Sequence, residues 1–111
     1  MQIRIQRTCT YNWKAGTQPT ATTLVTGATT DFHVYALEWR PGRIDGYVDG
    51  RRYFTTLDDG GGHDAWPFTR PFYIILNLAI GGGWGGAQGV DETLWPLRYE
   101  IDYVRVYQAT R

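Results

Sequence analysis

The sequence predicts an all-β chain, folded as an antiparallel β-sandwich of the jelly-roll type. Short segments with strand-like alternation are separated by turn residues, and no segment has the length and periodicity of an amphipathic helix. The composition combines 15% aromatic residues with 14 glycines, which suits large packing side chains between many tight turns. With 111 residues, the chain is expected to form a single β-sandwich domain over residues 1–111.

The N-terminal third predicts one clear strand and one weak strand. Residues 2–8 alternate between apolar and polar side chains, as a half-buried strand does. Residues 14–30 are rich in Thr, Ala and Gly, which is typical of a loop, with a weak strand near residues 23–26.

Two hairpins are predicted next. Residues 32–40 are expected to pair with residues 43–49 across a Pro-Gly turn. Asp49-Gly50 is a strong two-residue hairpin signal, and it leads into a strand over residues 51–56. Residues 58–64, which contain three consecutive glycines, are predicted to form a loop.

The C-terminal part predicts two more strands. Residues 72–80 alternate two largely apolar faces, a pattern that favours a central strand with material packed on each side. A glycine-rich loop over residues 81–96 separates this strand from a last one over residues 98–108. Six or so antiparallel strands favour a jelly-roll sandwich.

Charge, cysteine content and hydropathy exclude several classes of function. The formal net charge is zero and the arginines are dispersed, so no nucleic-acid partner is expected. No apolar run reaches transmembrane length, so no membrane partner is expected either. The N-terminus has no signal-peptide core, and the localisation is left open. Cys9 is the single cysteine and allows no internal disulfide.

Three ordered blocks of sequence resemble one enzyme family. They are Asp31–Trp39 with Ile44–Gly50, Trp66–Trp84 and Tyr99–Gln108. Together they are similar to the C-terminal half of glycoside hydrolase family 16, the laminarinase and β-glucanase group. The resemblance implies a concanavalin-like jelly roll, in a half or shortened version, and a β-glucan polysaccharide or oligosaccharide as partner. It also implies a usually secreted protein.

The chemistry of that family is missing from the sequence. The family cleaves with retention, using two glutamates on one strand in a Glu-x-Asp-x-x-Glu pattern, and retention needs the carboxyl groups ~5 Å apart. Glu100 is followed by Asp102, but position 105 is Arg, and no other glutamate begins the pattern. The catalytic strand of the family would lie upstream of Met1. No catalytic residue is therefore assigned in this chain.

Candidate ligand contacts remain in the sequence. The amide of Asn77 interrupts an apolar strand and must find partners or meet a polar ligand. Trp84 lies in a glycine-rich loop, where a large ring is hard to bury and can stack on a pyranose ring. Trp13, with Tyr11 beside it, is a second candidate of the same kind.

The resemblance also implies a metal ligand. Asp102 sits where the closing strand of the family often provides a ligand to a structural calcium ion. No cofactor is required, and calcium is the single metal considered. Calcium needs six or more oxygen ligands, and the alternative for Asp102 is a solvated or turn-pairing aspartate.

Three functional hypotheses follow. The first is a glycan-binding domain without intrinsic hydrolysis. The second is a β-1,3(4)-glucan hydrolase that is active only through assembly or a partner chain, for example by bringing together Glu38, Glu92 and Glu100. The third is a truncated product with no evolved activity. Because half a jelly roll leaves open sheet edges and apolar faces, a homo-oligomer is expected.

Overall fold

A computed structural model describes residues 2–6, 20–63 and 65–110, with side chains from residue 21 onward except that of Trp84. The chain divides into two compact units, Met1–Phe72 and Tyr73–Arg111. In the first unit the strands are β1 (Gln2–Gln6), β2 (Thr20–Leu24), β3 (Tyr35–Arg40), β4 (Arg43–Val48) and β5 (Arg51–Leu57). The second unit has a short helix α1 (Gly82–Gly85) and a 3-10 helix (Glu92–Leu94). Neither of these helices is long and apolar enough to cross a membrane.

The first unit contains two antiparallel sheets. Strand β1 pairs with β2, with Ile3 opposite Thr23, and strands β3, β4 and β5 form a three-stranded sheet in that order. A weak strand was predicted near residues 23–26. The structure has strand β2 there, beginning and ending a few residues earlier in the chain. Both predicted hairpins are confirmed by the pairing of β3 with β4 and of β4 with β5.

The turn between β4 and β5 explains why that hairpin could be predicted. Asp49 and Gly50 both have positive φ, 49° and 76°. Two consecutive residues of this kind form the turn whose twist matches a hairpin, and glycine adopts the conformation without steric cost.

A β-bulge interrupts the β4–β5 ladder. Gly46 pairs with Phe54, but the next residue, Tyr47, pairs with Arg52, so Tyr53 is an extra residue on β5. A bulge of this kind shifts the alternation of side chains on the longer strand. The shift affects Arg52 and Arg51, whereas Phe54 and Thr55 keep the regular alternation, with Phe54 on the buried face and Thr55 opposite Asp45 on the other face.

The core of the first unit lies on one face of the three-stranded sheet. Val48 and Phe54 are buried there, 7% and 5% exposed, and Thr56 is buried beside them. Trp66, which follows β5 in the chain, is 3% exposed and packs edge-to-face on Phe68, with ring centroids 5.2 Å apart. Strand β3 is at the edge of the sheet, and its side chains are exposed.

The strands predicted over residues 72–80 and 98–108 are not present in the structure. Residues 71–80 and 97–110 are exposed and carry no strand pairing within the described part of the chain. A strand exists only when a neighbouring strand accepts and donates its backbone hydrogen bonds. The apolar alternation in these two segments was therefore not sufficient to predict a strand.

Candidate glycan-binding site

Two of the predicted ligand contacts lie in the second unit. Asn77 is on the exposed segment that precedes the glycine run, and no hydrogen bond holds its amide within the described residues. Seven residues later, Trp84 lies in helix α1, after Gly81 and Gly82, which both have positive φ. The backbone of Trp84 is described but its side chain is not, so its contact with a sugar stays a prediction. Tyr11 and Trp13 lie outside the described residues.

Tight turns shape the segment around Trp84. The Gly86 N–H donates to the Gly82 carbonyl at 3.1 Å and closes helix α1. A Cβ atom at Gly86 would lie 2.8 Å from the same carbonyl oxygen, so no larger residue fits there without a shift of the backbone. The glycines at both ends of α1 therefore fix the backbone that presents Trp84.

Asp102 is exposed in the second unit. Among the residues that the structure describes, no group of three or more His, Cys, Asp or Glu is placed to hold a metal ion. Since calcium takes six to eight oxygen ligands, the described residues alone do not form a calcium site. The calcium ligand role of Asp102 stays a prediction.

Among the described residues, the carboxylate with the most perturbed environment is Asp45, on the central strand of the β3–β5 sheet. It is 2% exposed. Arg43 donates to both of its oxygens, at 2.6 Å and 3.0 Å, and the Thr55 hydroxyl donates to Oδ1 at 2.6 Å. These two partners, Arg43 first, hold the pKa of Asp45 at about 2. Asp45 is thus ionised at any physiological pH and cannot act as a general acid.

Glu38, which is directly opposite Asp45 in the register, is also occupied. Its Oε2 accepts hydrogen bonds from the Tyr47 hydroxyl and from Arg40, both at 2.9 Å. The bond to Glu38 raises the pKa of Tyr47. Arginine, tyrosine and threonine side chains therefore occupy the oxygens of Glu38 and Asp45.

Sequence reasoning did not find the ion pair between His33 and Asp49. His33 Nδ1 lies 2.7 Å from Asp49 Oδ2, and the Val34 N–H donates to Asp49 Oδ1 at 2.9 Å. The hydrogen bond to Asp49 raises the pKa of His33, and the same contact lowers the pKa of Asp49. The signal in the sequence was the Pro41-Gly42 turn, because the β3–β4 hairpin that it closes pairs Tyr35 with Val48 and so brings Asp49 beside the residues that precede β3.

In the sequence, Trp39 alternates with Tyr35 and Leu37, a pattern that favours core packing over ligand contact. The structure places it on the edge strand, 48% exposed, with its indole N–H donating to the Phe68 carbonyl at 3.0 Å. Its ring meets Phe72 edge-to-face with centroids 5.8 Å apart. Trp39 is therefore fixed by polar and aromatic contacts without being buried.

Comparison with known families explains this architecture. The family model for glycosyl hydrolases family 16 matches residues 5–105. This chain belongs to glycosyl hydrolase family 16. A β-glucanase from Rhodothermus marinus is 45% identical over 103 residues, which are 88% of this chain and 36% of the relative. The clotting factor G alpha subunit of Tachypleus tridentatus is 41% identical over 78 residues, 70% of this chain and 11% of that protein.

A solved structure agrees with the family assignment. The X-ray structure of the laminarinase from Rhodothermus marinus matches with a TM-score of 0.77 at 40% identity. The match covers 86% of this chain and 40% of that laminarinase. The predicted fold class, an antiparallel jelly-roll β-sandwich, is confirmed, and the chain spans about two fifths or less of these family members.

Proposed function

We propose that this family 16 chain binds β-glucan and does not hydrolyse it by itself. The proposal takes its ligand from the relatives, which include a β-glucanase and a laminarinase. The expected lack of hydrolysis rests on the hydrogen bonds of two carboxylates in the three-stranded sheet. Glu38 and Asp45 face each other, but arginine, tyrosine and threonine side chains occupy their oxygens.

The other glutamates give no support for a catalytic pair. Glu92 begins the 3-10 helix that Asp91 caps by accepting the Thr93 N–H at 2.9 Å. Glu100 is exposed, and Arg105 occupies the position where the family pattern requires the second glutamate. An oxocarbenium-like transition state needs two carboxyl groups flanking the scissile bond, and no glutamate of this chain has the family spacing.

Reducing-sugar release and binding, measured on the same pure sample, test the proposal. With laminarin and lichenan, we expect saturable binding and no release above the buffer control. Glu38→Gln, Glu92→Gln and Glu100→Gln should leave binding unchanged. Turnover that one of these three changes abolishes would overturn the non-catalytic half of the proposal.

Asn77 and Trp84 are proposed as ligand contacts. An amide can share hydrogen bonds with sugar hydroxyls, and an indole can stack on a pyranose face. Trp84→Ala should weaken laminarin binding by roughly tenfold, and Asn77→Ala by less. Tyr73→Ala, at an exposed position of the same segment, is the control, and unfolding curves show whether each variant remains folded. Unchanged affinity in Trp84→Ala would exclude the stacking role.

A second candidate function is hydrolysis after self-association. The observation that favours it is the distribution of apolar side chains: among the described residues, Val25, Val48, Phe54 and Trp66 are buried, whereas most large hydrophobic residues are exposed. Large exposed apolar patches mark association surfaces. We propose a homo-oligomer on this basis.

Light scattering across a dilution series, with laminarin hydrolysis measured at each concentration, tests the second candidate. Activity that appears together with the oligomer supports assembly-dependent hydrolysis. An oligomer without activity supports association alone. A particle with the mass of one chain, 12.7 kDa, at every concentration excludes both.

A further inference from the structure

The polar face of the β3–β5 sheet concentrates arginines. We use the name arginine face for Arg40, Arg43 and Arg52 around the carboxylates of Glu38 and Asp45. The register places Glu38 opposite Asp45, and Asp45 opposite Thr55. Cross-strand partners project from the same face of a sheet, and the hydrogen bonds among these side chains agree with that arrangement.

The β-bulge determines which arginine joins this face. If the ladder continued regularly from the Gly46–Phe54 pair, Arg52 would lie opposite Val48, on the buried face. The extra residue on β5 instead places Arg52 opposite Tyr47, with its Nη1 3.9 Å from Asp45 Oδ1. Arg51 takes the place opposite Val48. Two consecutive arginines therefore point to opposite faces, and one of them extends the arginine face.

The charges on this face do not balance. Among the described residues, three guanidinium groups surround two carboxylates, an excess of one positive charge. Arg40 lies directly opposite Arg43, and like charges at opposed positions in a sheet are destabilising. An anion bound at the face would reduce that repulsion.

Arg52 has the donors to bind such an anion. Its side chain is 53% exposed, and its distance from Asp45, 3.9 Å, is too long for a hydrogen bond. Arg43, by contrast, is held by both oxygens of Asp45, and Arg40 by Glu38. Within the described residues no hydrogen bond holds the Arg52 guanidinium, and its planar fork of donors matches the paired oxygens of a sulfate or carboxylate.

We propose that the arginine face binds acidic glycans through a sulfate or carboxylate group held by Arg52, with Arg40 as a further exposed contact. The proposal concerns the first unit alone, on the side of the sheet opposite the buried face, and it rests on the proposed function only for the choice of a glycan as ligand. Because the whole chain has a net charge of zero, the attraction is local to this face.

Three probes with the same backbone test the inference: laminarin, sulfated laminarin and carboxymethylated laminarin, titrated into the whole chain by calorimetry. At about 0.05 M salt, we expect at least one acidic form to bind roughly tenfold more tightly than laminarin, and the gain to shrink at about 0.5 M salt. A gain for the sulfated form alone assigns sulfate, and a gain for the carboxymethylated form alone assigns carboxylate.

Arg51 provides a matched control for Arg52, since it is adjacent, exposed and on the opposite face. Arg52→Ala should remove most of the gain, whereas Arg51→Ala should keep it; Arg52→Gln replaces Arg52→Ala if the latter does not fold. The inference would be overturned if the Arg51 and Arg52 variants lost the same amount of affinity for the acidic probes. Equal affinity of the wild type for neutral and acidic probes would also overturn it. Failure of laminarin to bind, with Arg52-dependent binding of an acidic form, would contradict the proposed glucan binding and leave the arginine face supported.

Discussion

The three-stranded sheet of the first unit and the exposed segment of the second contain similar sequence patterns with different outcomes. Strands β3, β4 and β5 are joined by the two-residue connections Pro41-Gly42 and Asp49-Gly50, and each strand pairs with the next along the chain. Residues 72–80 alternate as regularly, but a glycine-rich segment and two short helices follow them instead of a hairpin turn.

The difference shows what a strand requires besides alternation. A short turn brings the partner strand close at little entropic cost, so the ladder forms from residues near one another in sequence. A segment without such a turn depends on partners that are distant in sequence. In the described part of this chain, local hairpins form the three-stranded sheet of the first unit, and the second unit has no ladder.

Truncation of a large apolar side chain to alanine is expected to give the largest difference in unfolding free energy between the two regions. Phe54 is 5% exposed, whereas Ile75 is 68% exposed. Phe54→Ala should lower the free energy of unfolding by about 3–5 kcal/mol, because it leaves a cavity under the sheet. Ile75→Ala should change it by less than about 0.5 kcal/mol. Urea unfolding measures both, and a large loss in Ile75→Ala would mean that its segment is packed on another chain.

A substitution in the β4–β5 turn should have an intermediate effect on the free energy of unfolding. Gly50 has φ of 76° with open space around it, and Gly83 also has open space but no positive φ. Gly50→Ala should cost about 1–2 kcal/mol of unfolding free energy, because an L-residue is strained in the left-handed region. Gly83→Ala, inside helix α1, should cost nothing or stabilise slightly. Similar losses in both variants would show that the β4–β5 turn does not govern the stability of the sheet.

The pH dependence of the pair formed by His33 and Asp49 should be the smallest effect, because Asp49 is half-exposed and solvent screens the interaction. Asp49, the Gly27 carbonyl and Asp31 all raise the pKa of His33 above its usual 6.5. The stabilisation is therefore complete below pH 6.5 and is lost as the pH rises through the folded-state pKa. The difference in unfolding free energy between wild type and His33→Gln should therefore be larger just below pH 6.5 than above the folded-state pKa of His33.

An NMR titration of the His33 ring gives the control for this prediction. In Asp49→Asn, the pKa of His33 should fall towards the value of a free histidine. If the pKa of His33 is the same in both proteins, the ion pair does not contribute to the pH dependence.

Sequence reasoning predicted the fold where the signals were local. The Asp49-Gly50 turn and the alternation on its two sides gave both hairpins within a few residues of their observed bounds. The bulge at Tyr53 could not be predicted, because the residues on either side of it alternate plausibly in both registers. Whether residues 72–80 form a strand depended on a partner, and no local pattern encodes a partner.

The candidate site was predicted less completely than the fold. Asn77, which interrupts an apolar run in the sequence, is exposed, and its contact with a ligand stays a prediction. The partners of Glu38 and Asp45 could not be read from sequence, since those residues meet only after β4 folds back on β3. Pairwise contacts across strands depend on the register, and only the turn residues indicated that register.

The bulge also determines where β5 can change in length during evolution. Loss of the codon for Tyr53 would leave the alternation on either side unchanged, since Arg52 and Phe54 already pair with consecutive residues of β4. Loss of a residue elsewhere in the strand would move every following side chain to the opposite face. Insertions and deletions among relatives of this chain should therefore accumulate at position 53 and be rare at its neighbours in β5.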